Sequence, residues 1–141
     1  MKRLLAFALA CVAILSCSKL EQEDPADKFV GTYSVSVTQY VVWGSASGTL
    51  SDNGTFMITK ESATKVRVSG YMSTTGEVTG STLYLNGFNS SDSAGYINTT
   101  FSPATLAGNV LTFTASRSGQ LKDNGIAYPY RSTDNFTAIK K

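Results

Sequence analysis

Between Phe29 and Thr38 the sequence alternates between two kinds of residue. The odd positions are apolar or small, and the even positions from Thr32 onward carry hydroxyl groups. Successive side chains of a β-strand point to opposite faces of the sheet, so this alternation predicts a strand that is buried on one face. Val41 and Trp43 continue the apolar stripe. We therefore expect a folded domain that begins with a strand at Phe29.

Similar short segments follow, separated by groups of Gly, Asn, Asp and Ser. Residues 52–54 and 123–125 both read Asp-Asn-Gly, which predicts turns, the first of them a tight hairpin, and the polar residues 88–95 predict an exposed loop. Eight or nine strands result, and no segment after Leu15 has a helical period. The pattern predicts an all-β domain, an antiparallel meander closed into a barrel of about eight strands, because closure removes unpaired strand edges. A two-sheet β-sandwich is the alternative.

Histidine is absent from the chain, and both cysteines, Cys11 and Cys17, lie in the first 17 residues. The rest of the chain therefore has no imidazole base, no thiolate nucleophile and no sulfur ligand for a metal. Glu77, Asp92 and Asp123 are candidates for a glycosidase carboxylate pair, but nothing in the sequence brings two of them together. We predict that the protein is not an enzyme and holds neither a cofactor nor a metal.

The first 16 residues have the organisation of a secretory signal. Two basic residues at positions 2 and 3 precede twelve uncharged residues, which are too few to span a bilayer as a helix. Residues 14–17, Ile-Leu-Ser-Cys, resemble the bacterial lipobox, in which the cysteine is lipidated and becomes the mature N-terminus. The resemblance implies that residues 1–16 are a lipoprotein signal peptide and that acyl chains on Cys17 anchor the protein to the outer membrane.

Residues 17–28 are predicted to form a flexible acidic tether after the lipidated cysteine, because residues 18–27 contain four acids, one base and a proline. The two basic residues of the signal leave with it, so ten of the twelve Lys and Arg side chains remain against ten acids, which predicts no nucleic-acid partner. The acidic run also resembles the surface-export signal of lipoproteins of the Bacteroidota, which implies exposure on the cell surface. A plain soluble spacer is the alternative.

The whole chain resembles the small lipocalin-like (calycin-like) lipoproteins of the Bacteroidota. The resemblance rests on residues 29–33, Phe-Val-Gly-Thr-Tyr, directly after the acidic segment, and on the closing residues 136–141. Its firmest motif is Gly31 followed two residues later by an aromatic, here Tyr33, where lipocalins usually have Trp. The resemblance implies a single β-barrel domain over residues 29–141. The Tyr and the short loops set the chain apart from lipocalins that carry apolar ligands.

Two functions remain open. The first is a non-catalytic cell-envelope module that binds a small ligand or a glycan, and the second is an accessory subunit that binds another envelope protein. Exposed aromatic residues are typical of both kinds of surface. Large residues on the inward stripe, Phe29, Tyr33 and Trp43, indicate a filled interior and favour the second function. The candidate ligand-facing aromatics are Tyr40, Tyr71, Tyr84, Tyr128 and Tyr130.

A short motif in the predicted loop points to a modification. Residues 92–94, Asp-Ser-Ala, resemble the O-glycosylation acceptor of the Bacteroidota, in which Asp precedes Ser or Thr and a small or apolar residue follows. An acceptor must be reachable by a transferase, and this loop is expected to be the most exposed one. The resemblance implies that Ser93 is the attachment point.

Overall fold

The structure, a computed structural model, describes residues 23–141 and contains ten β-strands in one antiparallel sheet. Eight of the strands form a closed ring in the order β10-β1-β2-β3-β4-β5-β8-β9, because β10 pairs with both β1 and β9. The predicted all-β fold is confirmed, with a barrel-like ring of eight strands. The sandwich does not form, because the sheet is continuous. The strands are β1 (Gly31–Trp43), β2 (Ala46–Lys60), β3 (Lys65–Gly70), β4 (Thr74–Thr79), β5 (Thr82–Leu85), β6 (Phe88–Asp92), β7 (Gly95–Phe101), β8 (Ala104–Ala107), β9 (Val110–Asp123) and β10 (Ile126–Lys140).

The inner face of the ring is packed with apolar side chains. The alternation predicted for the first strand is confirmed, since Tyr33, Val35 and Val37 are buried. Phe113 and Phe136 lie on the adjacent strands β9 and β10 and stack with their ring centroids 4.5 Å apart and their planes at 9°. Aromatic pairs of this kind add to the free energy of burying each ring. The ring is therefore a filled core over this part of its length.

The two ends of the ring differ. A one-turn 3₁₀ helix, Pro25–Lys28, covers the end at which β1 begins, and we call this the tether end. The turns after Trp43, Asp92 and Asp123 all lie at the other end, which we call the open end. The 13 residues of β1 connect the two ends, a distance of about 40 Å for an extended strand.

One of the two Asp-Asn-Gly turns is confirmed and the other is wrong. Asn124 and Gly125 connect β9 to β10 and both have positive φ, 48° and 82°, as a type I′ hairpin requires. The tripeptide at 52–54, by contrast, lies inside β2, which pairs with β1 along its whole length after a turn at residues 44–45. Gly54 is needed there because the ring of Tyr71 covers it, and a Cβ would clash with that ring.

Residues 88–92 are exposed, as predicted, but they form a strand and not a loop. Phe88–Asp92 is strand β6, which pairs with β7 through a two-residue turn at Ser93 and Ala94. Every residue of β6 is exposed. The strand therefore lacks the apolar alternation by which sequence analysis finds half-buried strands.

Residues just before the predicted domain boundary at Phe29 pack against the domain. Ala26 is buried and its N–H donates to the carbonyl of Ala63 at 3.1 Å. Lys60 pairs with Asp24 at 2.5 Å and with Asp27 at 2.9 Å. The acids therefore stay at the surface while Ala26 covers the tether end of the core. The predicted signal peptide, Cys17 and the tether up to residue 22 lie outside the described residues.

Tyr33 gives a prediction about alkaline stability. Its hydroxyl donates to the carbonyl of Phe29 at 2.8 Å, and burial raises the pKa of Tyr33 to about 12. Between pH 10 and pH 12 the unfolded chain loses this proton while the folded chain keeps it, so stability falls as the pH rises, by roughly 2–3 kcal/mol in total. We expect Tyr33→Phe to cost about 1 kcal/mol at pH 8 and to become the more stable variant near pH 12. Urea unfolding at a series of pH values measures this, and parallel curves for the two proteins would contradict it.

Candidate functional site at the open end

Of the ten strands in residues 23–141, six continue to the open end. β3 pairs with β2 over Phe56–Lys60 alone, so beyond Phe56 the sheet consists of β2, β1, β10, β9, β7 and β6. The inner face of this six-stranded extension continues the inner face of the ring, because the strand registers carry no interruption. We call this inner face the cup.

A buried ion pair forms the floor of the cup. Asp134 of β10 is 1% exposed, and its Oδ2 lies 3.0 Å from Nη2 of Arg117 on β9. Gln39 of β1 donates from Nε2 to the other oxygen, Oδ1, at 2.9 Å. Both carboxylate oxygens therefore have partners, as a buried charge requires. The guanidinium of Arg117 is partly exposed and remains accessible from the cup.

A cavity of about 340 Å³ lies directly above this floor. On its wall the hydroxyl of Tyr71 donates to Oδ2 of Asp52 at 3.0 Å. Burial, and next the hydrogen bond to Asp52, raise the pKa of Tyr71, so the phenol stays protonated at neutral pH. Asp52 forms no ion pair with any other residue in the range 23–141. The cavity is lined by Val37, Gln39, Leu50, Ser51, Asp52, Tyr71 and Arg117.

An apolar wall adjoins the polar cavity. Leu50 lines both this cavity and a second one of about 180 Å³, whose other walls include Val41 and Trp43. Trp43 is 41% exposed, and its ring meets Tyr128 edge to face at 6.4 Å. The cup therefore presents apolar and aromatic surface beside a small set of convergent polar groups, the usual composition of a ligand pocket.

The structure divides the five candidate aromatics between two faces. Tyr71, Tyr128 and Tyr130 are half-buried, and the last two alternate with outward-facing residues of β10 on the side of the cup. Tyr40 and Tyr84 are 52% and 48% exposed and lie on the outer face, so they do not belong to the same site.

The expectation for the large residues of the inward stripe is only partly met. Phe29 and Tyr33 are buried in the ring. Trp43 does not fill the interior, because β1 extends beyond the ring and ends in the open wall of the cup.

Sequence reasoning missed the polar floor. Arg117 and Asp134 are in phase with buried neighbours two residues away, Ala115 on β9 and Phe136 on β10. A charged residue at a position that should face the core was the available signal. Ser132 is another polar residue at a position that faces the core. It is 5% exposed and pairs across the sheet with Arg117, and its hydroxyl has no hydrogen-bond partner in the described part of the chain.

The remaining candidate residues are all exposed. Glu77, Asp92 and Asp123 are exposed and lie on three different strands. Ser93 is exposed in the β6–β7 turn, where the Asp92 side chain accepts from the N–H of Ala94 at 2.8 Å, and its glycosylation stays a prediction.

Within residues 23–141 no group of three or more His, Cys, Asp or Glu side chains is placed to hold a metal. The same residues include no helix long and apolar enough to cross a membrane. Comparison of the sequence with known protein families and with curated proteins finds no match.

Proposed function

We propose that this protein is a lipid-anchored lipoprotein of the outer membrane whose barrel-like domain is a non-catalytic module that binds a small ligand or a glycan in the cup. The observation that carries the proposal is the half-enclosed cavity above the Arg117–Asp134 pair, with Asp52 and Tyr71 on its wall. These groups converge on one space: Asp52, Arg117 and Asp134 are held by strands, and Tyr71 directly follows β3 and is bonded to Asp52, so they need little rearrangement to receive a ligand.

A saccharide matches the two surfaces of the cup. Sugar hydroxyls can donate to Asp52 and accept from Arg117 and from the amide of Gln39. The apolar face of a sugar ring can lie against an aromatic side chain, and Trp43 with Leu50 and Val41 supplies such a face beside the polar cavity. An apolar ligand alone would leave the polar groups of the cavity without partners.

The position of the anchor supports the same proposal. Cys17 precedes Asp24 by seven residues, which reach about 25 Å at most when extended. Asp24 contacts Lys60 at the tether end, so the cup lies at the opposite end of β1. A protein anchored through Cys17 would therefore present the cup away from its membrane. If the acidic segment acts as a surface-export signal, the cup would face the cell exterior.

Ligand binding can be followed through Trp43, the only tryptophan in the chain. We expect one or more members of a panel of mono- and oligosaccharides to change its fluorescence in a saturable way. Asp52→Asn keeps an oxygen that can accept from Tyr71 but removes the charge, and should weaken binding about 10-fold or more, since hydrogen bonds to charged groups contribute about 1.5–3 kcal/mol. Tyr84→Ser, on the outer face, is the matched control. Loss of binding in the Tyr84 variant, with Asp52→Asn unaffected, would place the site elsewhere.

Anchoring is tested separately. Cys17→Ala is expected to abolish incorporation of labelled fatty acid and retention in the membrane fraction, because Cys11 would leave with the signal. Equal labelling of the variant and the unaltered protein would exclude Cys17 as the lipidated residue.

A further inference from the structure

In the described part of the chain the sheet has two free edges at the open end, although closure of the ring removes such edges elsewhere. Within residues 23–141, β2 has a partner on both sides only from Phe56 to Lys60, and its segment 46–54 pairs with β1 alone. β6 pairs with β7 and with no other strand in the described chain. An unpaired strand edge is a template for another strand.

The direction of the backbone groups on the β2 edge follows from its neighbours. The carbonyl of Thr55 accepts from the N–H of Tyr71, so Thr55 faces the β3 side of the strand. Backbone groups alternate along a strand, and the register with β1 is continuous. Ser47, Thr49 and Ser51 therefore present both N–H and C=O to the free edge.

The direction of the backbone groups on the free edge of β6 follows from the hairpin that β6 forms with β7. In a two-residue hairpin the residues that flank the turn bond each other, here Asp92 and Gly95. The alternate residues of β6, Asn89 and Ser91, thus direct their N–H and C=O groups away from β7.

Neither edge carries the features that usually prevent pairing. Residues 46–55 and 88–92 contain no Lys, Arg or Pro, and charged or proline residues are the common protection of an exposed edge. The acids are Asp52, whose side chain is engaged with Tyr71 in the cup, and Asp92, at the end of β6. The edges are polar, free in the backbone and without an excess of like charge.

The strand directions identify the occupant. β2 runs from the open end towards the tether end, and β6 runs towards the open end. We infer that copies of this chain assemble side by side, with β6 of one copy adding to the free edge of β2 of the next and continuing one antiparallel sheet. The pairing keeps all tether ends on the same side, as anchoring in one membrane would require. Antiparallel pairing of β2 with β2 would place the two tether ends on opposite sides.

The contact joins two different edges, so it is head to tail and can form rings or chains. Asn89 and Ser91 offer four backbone groups, so the contact is short and its occupancy depends on concentration. The choice of β6 rather than a second β2 as the partner rests on the proposed membrane anchoring, but not on ligand binding in the cup.

Sedimentation velocity of the full chain in detergent micelles measures this assembly. A concentration series up to about 1 mM detects association even when the dissociation constant is high. Association should grow with concentration. Thr49→Pro and Ser91→Pro each remove an N–H from a free edge without removing a bond to β1 or β7, and each variant alone should be monomeric. Thr49→Ala and Ser91→Ala keep the N–H and should assemble as the unaltered chain does.

Mixing the two proline variants is the decisive measurement. Thr49→Pro retains its β6 edge and Ser91→Pro retains its β2 edge, so an equimolar mixture should form a heterodimer and nothing larger. Association of Ser91→Pro alone would indicate β2–β2 pairing and overturn the inference, as would a monomer at every concentration of the unaltered chain. Circular dichroism checks folding. If a proline variant is unfolded, Gly48→Lys and Ser90→Lys replace the pair, since a Cβ at Gly48 meets nothing within 4 Å.

Discussion

Replacing Asp134 by alanine is expected to lower the free energy of unfolding by about 2–4 kcal/mol. Removing one member of a buried ion pair typically costs 3–5 kcal/mol, and the lower part of that range applies because the Arg117 side chain is 30% exposed and can be hydrated. The amide of Gln39 also loses its acceptor. Chemical denaturation monitored by Trp43 fluorescence measures the change, and the melting temperature should fall by about 10 °C.

A double variant separates the ion pair from simple loss of packing. Arg117→Met with Asp134→Leu replaces the pair by apolar groups of similar size, which is often neutral in buried sites. We expect this variant to be more stable than Asp134→Ala by at least about 1 kcal/mol. Asp123→Ala, at an exposed position, should change stability by less than about 0.5 kcal/mol. A double variant less stable than Asp134→Ala would show that the charges themselves stabilise the fold.

Phe113→Ala is expected to be the most destabilising single change, at about 3–5 kcal/mol. Phe113 is 4% exposed, stacks on Phe136, and has Phe56 and Phe101 with ring centroids at 6.5 Å and 6.1 Å. Strands fixed by backbone pairing cannot move in to fill the space, so the variant loses the transfer free energy of the ring and also leaves a cavity.

The matched control lies one residue away. Thr112 is on the same strand with its side chain on the outer face, where its hydroxyl shares an exposed hydrogen bond with that of Thr105 at 3.2 Å, so Thr112→Ala should change stability by at most about 1 kcal/mol. Phe113→Leu, which keeps most of the volume, should have an intermediate effect. Equal effects of Phe113→Ala and Thr112→Ala would mean that the aromatic stack is not part of the stabilising core.

The architecture was predictable because burial on one face leaves a period of two in the sequence. The stripe in β1 fixed which side chains face inward, and Tyr33, Val35 and Val37 are buried as expected. β6 escaped detection because both of its faces are exposed. A strand with no buried face leaves no hydrophobic pattern to find.

The candidate site was predictable only in small part. Three of the five candidate tyrosines lie on the cup, but the ion pair and the position of Asp52 were not foreseen. Asp52 lies 65 residues from Arg117 in the chain, and they share a cavity only because β2, β1, β10 and β9 are neighbours in the sheet. Register between distant strands decides such a meeting, and a single sequence carries no local signal for it.

The tripeptide Asp-Asn-Gly occurs twice in the chain and adopts two different backbone conformations. Local preference decides the conformation at one position, and tertiary contacts decide it at the other. At residues 123–125 local preference prevails, since Asn124 and Gly125 accept the positive φ of a hairpin turn and no other element opposes it. At residues 52–54 the same residues are extended, because pairing with β1 and the ring of Tyr71 over Gly54 favour a continuous strand. The sequence by itself determined the strand faces, the absence of histidine and the placement of both cysteines before residue 18. The tertiary structure decided where β2 turns, which edges stay open and which polar groups meet in the cup, because those outcomes depend on pairing between strands that are distant in the chain.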